Sequence, residues 1–208
     1  MEFQYYGANC LRLTTKKAKV VIDDNLSDLG QKSVTKAGDI VLFTGAHGPV
    51  AAETHLVVDQ PGEYEISEVS VKGISARSHM DEASQRNATM YRVEADDIRV
   101  GVVGHIFPEL SDAQLEALGT IDVLVIPVGN SGYTMDAVGA LNLIKKIEPK
   151  LVIPTHYDDK AIKYPVPQVS LEEALKGLAM EPKETVPKLK VKPAELAENT
   201  ELVVLERQ

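Results

Sequence analysis

The stretch VLFTGAHGPV, residues 41–50, decides how this chain reads. Ile40, Val41, Leu42 and Phe43 make a short apolar run that stops at Thr44 and breaks into Gly45, Ala46, His47, Gly48 and Pro49. An apolar run that ends in Gly and Pro is a buried strand delivering a loop, and this loop carries His47. Three more histidines have a similar setting: His79 in a polar loop after VSVKGIS, His105 after RVGVVG, and His156 after LVIP. A fold that gathers its strand ends would converge these imidazoles, which is how a metal site is built from distant segments.

The remaining composition narrows the classes. At 208 residues the chain is one large domain or two small ones, long enough for a substantial core. Apolar content of 44% and charged content of 25% are those of an ordinary globular protein. Lys plus Arg is 22 against 31 for Asp plus Glu, a net charge of −9, which disfavours nucleic acid and anionic membrane as partners and leaves a small-molecule ligand or substrate. Cys10 is the single cysteine, so neither an intramolecular disulfide nor a Cys-rich zinc module can form. One free thiol suits a reducing compartment. The opening MEFQYYGANC has no basic region followed by an apolar run, and nothing approaches the roughly 20 apolar residues of a membrane span. A cytoplasmic location is expected.

Outward from the central stretch, the pattern is mostly strands first and βαβα later. Residues 3–6, 10–13 and 19–22 are short apolar or alternating runs that read as an antiparallel meander ending at Asp23. Residues 25–38 are polar and read as loop. Residues 63–66 and 69–74 make one hairpin, and 89–93 with 98–103 a second around Ala95, Asp96 and Asp97. Ser111 caps a short helix that Gly119 stops. Residues 122–127 are a strand buried on both faces. Thr134 reads as the cap of a helix over 135–147, with Val138, Leu141, Ile144 and Ile147 on its inner face. A strand over 151–153 leads to His156, Ser170 caps a second amphipathic helix to 180, and residues 202–205 read as a final edge strand. Two sheets packed together with helices outside fit this order.

Several motifs together carry a family likeness over roughly residues 1–205. They are VVID ending at Asp23, PGEYE from Pro61, LEALG leading into residues 122–127, GYTMDA from Gly132, and IPTHY around His156. The chain resembles the metallo-β-lactamase fold, in a branch of small bacterial metal-dependent hydrolases similar to the L-ascorbate-6-phosphate lactonases. The resemblance implies an α/β (α+β) protein, a single domain over 1–208 built as an αββα sandwich of two mixed sheets with helices outside. It also implies two zinc ions held by a His-x-His-x-Asp-His motif, a later His, a bridging Asp and a last His.

This chain departs from that ligand set. Gly45 stands where the first His belongs, Pro49 replaces the Asp, Val50 replaces the last His of the motif, and His105 stands where the bridging Asp belongs. His47, His79 and His156 keep ligand positions. An imidazole at 105 cannot offset the repulsion of two dications, so a dinuclear site is not expected. Two readings follow. In one, His47, His79, His105 and His156 hold a single Zn or Mn ion whose bound water attacks a small ester, lactone or phosphodiester, with Asp81 or Tyr133 positioning the substrate. In the other, which the losses favour, no metal binds. The chain is then a catalytically weak or silent hydrolase-like scaffold that binds a ligand or partner.

Overall fold

The computed structural model describes residues 1–48, 50 and 53–208. Pro49, where the motif's aspartate is lost, lies outside the described residues.

The strands in chain order are β1 (Glu2–Gly7), β2 (Cys10–Thr14), β3 (Lys19–Ile22), β4 (Ile40–Leu42), β5 (Leu56–Val58), β6 (Gly62–Ile66), β7 (Val69–Ala76), β8 (Ala88–Ala95), β9 (Ile98–Val102), β10 (Val123–Pro127), β11 (Leu151–Thr155), β12 (Glu184–Val186), β13 (Leu189–Lys190) and β14 (Glu201–Leu205). The helices are α1 (Asp112–Leu118), α2 (Ala137–Ile147) and α3 (Leu171–Leu178). One sheet has the order β13-β1-β2-β3-β4-β5 and the other β12-β14-β11-β10-β9-β8-β7-β6. Both are mixed. In the first, β1, β2 and β3 are antiparallel while β3, β4 and β5 run parallel. In the second, β6 to β9 are antiparallel and β9, β10, β11, β14 and β12 run parallel.

The period-2 alternation of the central strands splits the core into two layers. Val123 and Val125 of β10, Ile153 of β11 and Val203 and Leu205 of β14 face Phe3, Leu11, Leu13, Val20, Ile22 and Leu42 of the first sheet. Leu124, Ile126, Val152, Leu202 and Val204 face the opposite way, onto Leu143, Ile144 and Leu178 of the helices. Truncating one of these buried leucines to alanine costs about 2–5 kcal/mol. On the outer face of the first sheet, Cys10 and Val21 are covered by Leu26 of a single 3-10 turn and by Ile162. The αββα sandwich is therefore thick on one side and thin on the other.

Local sequence explains the element ends. The β6–β7 and β8–β9 hairpins turn at Ser67, Glu68 and at Asp96, Asp97, all with positive φ, as the twist of tight hairpins demands. Ser111 and Gln114 form a reciprocal capping box on α1, and Ser170 caps α3.

Four expectations need correction. Asp136, not Thr134, caps α2, its carboxylate accepting from the Gly139 N–H at 2.7 Å. A carboxylate there also complements the helix dipole. The buried face of α2 is Gly139, Ala140, Leu143 and Ile144, while Val138 is 60% exposed. Small residues define that face because the helix packs closely: a Cβ on Gly139 would lie 2.9 Å from Pro108. β14 is an interior strand between β11 and β12, because the Lys- and Pro-rich segment before it supplies the edge strand β12. Residues 25–38 are not wholly loop, since the 3-10 turn spans Leu26–Leu29.

Candidate functional site

The strand ends of both sheets open onto a cleft of about 450 Å³ whose walls include Asn9, Asp23, Thr44, His105, Tyr133 and His156. Each comes from a segment that leaves a strand. Asn9 lies in the β1–β2 turn, Asp23 follows β3, Thr44 follows β4, His105 follows β9, and His156 follows β11. Asp23 and His156 both hold positive φ, 48° and 58°. Such backbone costs about 1 kcal/mol or more in a non-glycine residue and persists where surrounding contacts hold it. At His156 the contact is its own N–H, which donates to the Ala8 carbonyl at 2.8 Å and ties the second sheet to the first under the cleft. Gly104 sets the approach of His105: its φ is 57°, and a Cβ there would lie 2.2 Å from the Thr44 hydroxyl.

Asp23 closes the strand end it follows. Its two carboxylate oxygens accept from the Thr44 N–H at 2.7 Å and the Thr44 hydroxyl at 2.6 Å. Burial nevertheless pushes its pKa up to about 6, against the lowering effect of these two bonds. Tyr91, from β8, reaches across the sandwich with its hydroxyl 2.8 Å from the Phe43 carbonyl and 3.1 Å from that of Val58. It thereby pins the ends of β4 and β5 at the mouth of the central loop.

His105 and His156 meet edge to face with ring centroids 4.5 Å apart, and the Tyr133 ring lies 5.2 and 5.7 Å from them. The hydrogen-bond network assigns both tautomers. The Gln168 amide N–H₂ donates to the Val166 carbonyl, so Gln168 Oε1 faces His156 and accepts from Nδ1–H at 3.1 Å. Nε2 of His156 is then a lone-pair acceptor, with the Tyr133 hydroxyl 3.5 Å away. The Thr155 hydroxyl donates to Asn9 Oδ1 at 2.9 Å, which turns the Asn9 amide N–H₂ onto His105 Nε2 at 3.1 Å. The proton of His105 is therefore on Nδ1, which is buried without a hydrogen-bond partner. Burial lowers the pKa of His156 to about 4, the Gln168 bond opposing only part of the shift. Burial likewise holds His105 well below the usual imidazole value, and His156 and His79 add to the effect. Both rings are neutral near pH 7.

Of the other residues singled out in the sequence, His47 and Asp81 are engaged away from this pair, while His79 abuts it through the backbone. His47 stacks on Phe43 at 4.3 Å and 20°, and its Nε2 is 3.2 Å from the Asp59 carboxylate. It does not line the cleft. The His79 backbone N–H donates to the His105 carbonyl at 2.8 Å, its ring tilts against Phe107, and its Nδ1 is buried without a partner. Asp81 organises its own loop: its carboxylate accepts from the Ser78 and Asn87 backbone N–H groups and the Asn87 side chain, each at 2.9 Å. Against the raising effect of desolvation, these bonds hold its pKa below the usual carboxylate value. Of the residues singled out as site candidates, the structure thus brings together His105, His156 and Tyr133.

Among the described residues, no group of three or more His, Cys, Asp or Glu side chains is placed to hold a metal ion. The donor chemistry gives the reason. Nε2 of His105 is engaged by Asn9, Nδ1 is sealed from solvent, and His156 Nε2 is a solitary lone pair. The described side chains do not fit a metal centre.

A family model described as beta-lactamase superfamily domain matches residues 2–156. The chain belongs to that family. It is 25% identical over 193 positions to a UPF0173 metal-dependent hydrolase of Salinibacter ruber, covering 76% of this chain and 85% of the relative. A UPF0173 metal-dependent hydrolase of Enterococcus faecalis is 32% identical over 95 residues, 45% of this chain and 42% of that one. A structure from Thermotoga maritima, assigned to the metallo-beta-lactamase superfamily, superposes with a TM-score of 0.75 at 24% identity, covering 99% of both chains. This beta-lactamase superfamily chain is thus related to small bacterial UPF0173-type hydrolases and carries an incomplete metal-binding motif.

Asn9, Thr155 and Gln168 were not legible as site residues. Asn9 reads as turn chemistry, and nothing in the spacing of Gln168 ties it to His156. Asp23 reads as a strand-end cap, which describes its bonds to Thr44 but not its place in the cleft wall.

Proposed function

We propose that this chain is a catalytically silent, hydrolase-like member of its superfamily that binds a small molecule in the cleft formed by its strand ends. The observation that carries this reading is the Asn9 amide on His105 Nε2. A side-chain amide that fills an imidazole's lone pair is a structural partner, and that imidazole, His105, stands at the position where the resemblance expects a bridging carboxylate. Gly45, open to the same cleft, supplies no donor. The net charge of −9 supports a small-molecule ligand over nucleic acid, and the lone free thiol supports a cytoplasmic setting. Residues 1–208 act as one unit in this reading.

A second reading rests on His156, whose Nε2 lone pair is held toward the cleft by Gln168 in the manner of a metal-ligating imidazole. Under it the chain is a mononuclear zinc or manganese hydrolase of a small ester, lactone or phosphodiester, within the lactonase-like branch. Elemental analysis of protein purified without chelator, before and after zinc or manganese loading, separates the two. Essentially no bound metal and a melting temperature indifferent to chelator support the silent reading. About one metal per chain with a chelator-induced drop of several degrees overturns it.

A further inference from the structure

Charge selects what the cleft accepts. Among the described residues lining it, the charged side chains are two carboxylates, Asp23 in the buried wall and Asp28 open to solvent, and no lysine or arginine is present. His105 takes the Asn9 amide N–H on its Nε2 and so brings no positive charge to the wall. An anionic ligand would need metal dications here, and the donor set does not provide for them. Hydrogen-bonding capacity points the same way. His156 donates its one proton to Gln168, so what it offers the cleft is an acceptor lone pair. The Tyr133 hydroxyl, at 3.5 Å, lies at the outer limit of a hydrogen bond and leaves that lone pair weakly satisfied. His156 is only 4% exposed, so an acceptor there gains most from a strong donor. Leu29, Met80 and Pro165 supply apolar wall, and Met80, 70% exposed, has a flexible side chain able to close on a ligand. Tyr133 adds an aromatic face, which attracts cations. The cleft's volume matches that of small-molecule sites.

We propose that the cleft binds a small organic cation: a protonated primary amine on an apolar body, its N–H directed to His156 Nε2 and its charge balanced by Asp23 and Asp28. This rests on the metal-free reading above and names the ligand class for it. Carboxylates and phosphates are excluded by the same carboxylates that attract the amine.

The test is an amide-resolved NMR titration of the full chain near neutral pH. The probes are phenethylamine, cyclohexylamine and hexylamine, with phenethyl alcohol and phenylacetate as charge controls. The amines should shift the Ala8, Thr44 and Tyr133 amides. Phenethylamine should bind about tenfold more tightly than phenethyl alcohol, and phenylacetate should leave these amides unmoved. Asp28→Asn, at an exposed position, should weaken amine binding about fivefold without altering the fold. The inference is overturned if no amine shifts cleft amides, if phenylacetate binds as well as phenethylamine, or if Asp28→Asn changes nothing. Zinc loading in parallel separates the two levels. Metal-free protein that binds alcohol and amine equally keeps the cleft reading and loses the cation. One zinc per chain together with newly gained phenylacetate binding overturns the metal-free reading itself.

Discussion

The side-chain amide of Asn9 donates to Nε2 of His105 across 3.1 Å, joining a turn of the first sheet to a strand end of the second. That bond removes an imidazole from the donors available to a metal, and it makes a definite spectroscopic statement. Both His105 and His156 should be neutral Nδ1–H tautomers. Long-range ¹⁵N–¹H correlation spectra should show this directly, and neither ring should titrate near the ordinary histidine value. An Nε2–H signal for His105, or a His156 midpoint near 6.5, would sink the assignment.

Metal binding should be recoverable. Gly45→His and His105→Asp together add an imidazole and a carboxylate to the cleft wall that His156 also lines, and a Cβ at Gly45 meets nothing within 4 Å. Three such donors suit zinc. The double variant should take up about one zinc per chain and melt several degrees higher when loaded. Equal uptake by the unmodified chain would show that the site was never lost.

Asp23 predicts a pH dependence with a definite sign. Its folded pKa of about 6 lies above the ordinary 3.8, so the folded state holds the proton more tightly than the unfolded chain. Stability from this group is full below pH 3.8 and is lost as pH rises through about 6. Asp23→Asn removes the ionisation, keeps an acceptor for the Thr44 N–H and tolerates the positive φ. Its stability relative to the unmodified chain should therefore rise between pH 4 and 7, by at most about 3 kcal/mol in urea titrations. A flat difference would mean Asp23 is not desolvated.

Asp122 has the opposite sign. Desolvation works against its charge. Even so, the Arg99 guanidinium at 2.8 and 2.9 Å and the Arg99 backbone N–H at 2.9 Å hold its pKa below the usual value. Its contribution is present above pH 3.8 and is lost as pH falls through the lowered folded value. Asp122→Ala should cost about 2 kcal/mol at neutral pH, discounted because Arg99 is one-third exposed. The penalty should shrink on acidification in denaturant melts.

Tyr91→Phe should cost about 1–2 kcal/mol, since it strips a buried hydroxyl from two strand-end carbonyls. It should also loosen the central loop, seen as faster hydrogen exchange at Phe43 and Thr44. Unchanged exchange there would mean the tether does not hold the loop.

Most of the fold was legible because it is written in short-range patterns. Alternation marked the meander and the hairpins, the apolar run over 122–127 marked a doubly buried strand, and Ser111 and Ser170 marked helix starts. The misreadings occurred where packing overrules hydropathy. Gly139 and Ala140 carry little apolar signal yet form the buried face of α2, because only small residues allow that helix close approach. The edge position went to β12, whose own segment reads as tail, because sheet order is set by crossovers and not by local composition.

What the sequence determined by itself was the inventory: strand ends bearing histidines, and a ligand motif missing its first imidazole, its acid and its last imidazole. Which histidines meet was decided only by the tertiary structure. His47 turned away onto Phe43 and Asp59, while His105 and His156 came together with Asn9 and Gln168, residues 96 and 12 positions from their partners. Proton position, burial and the sign of the surrounding charge arise from contacts between distant segments, and no spacing along the chain encodes them.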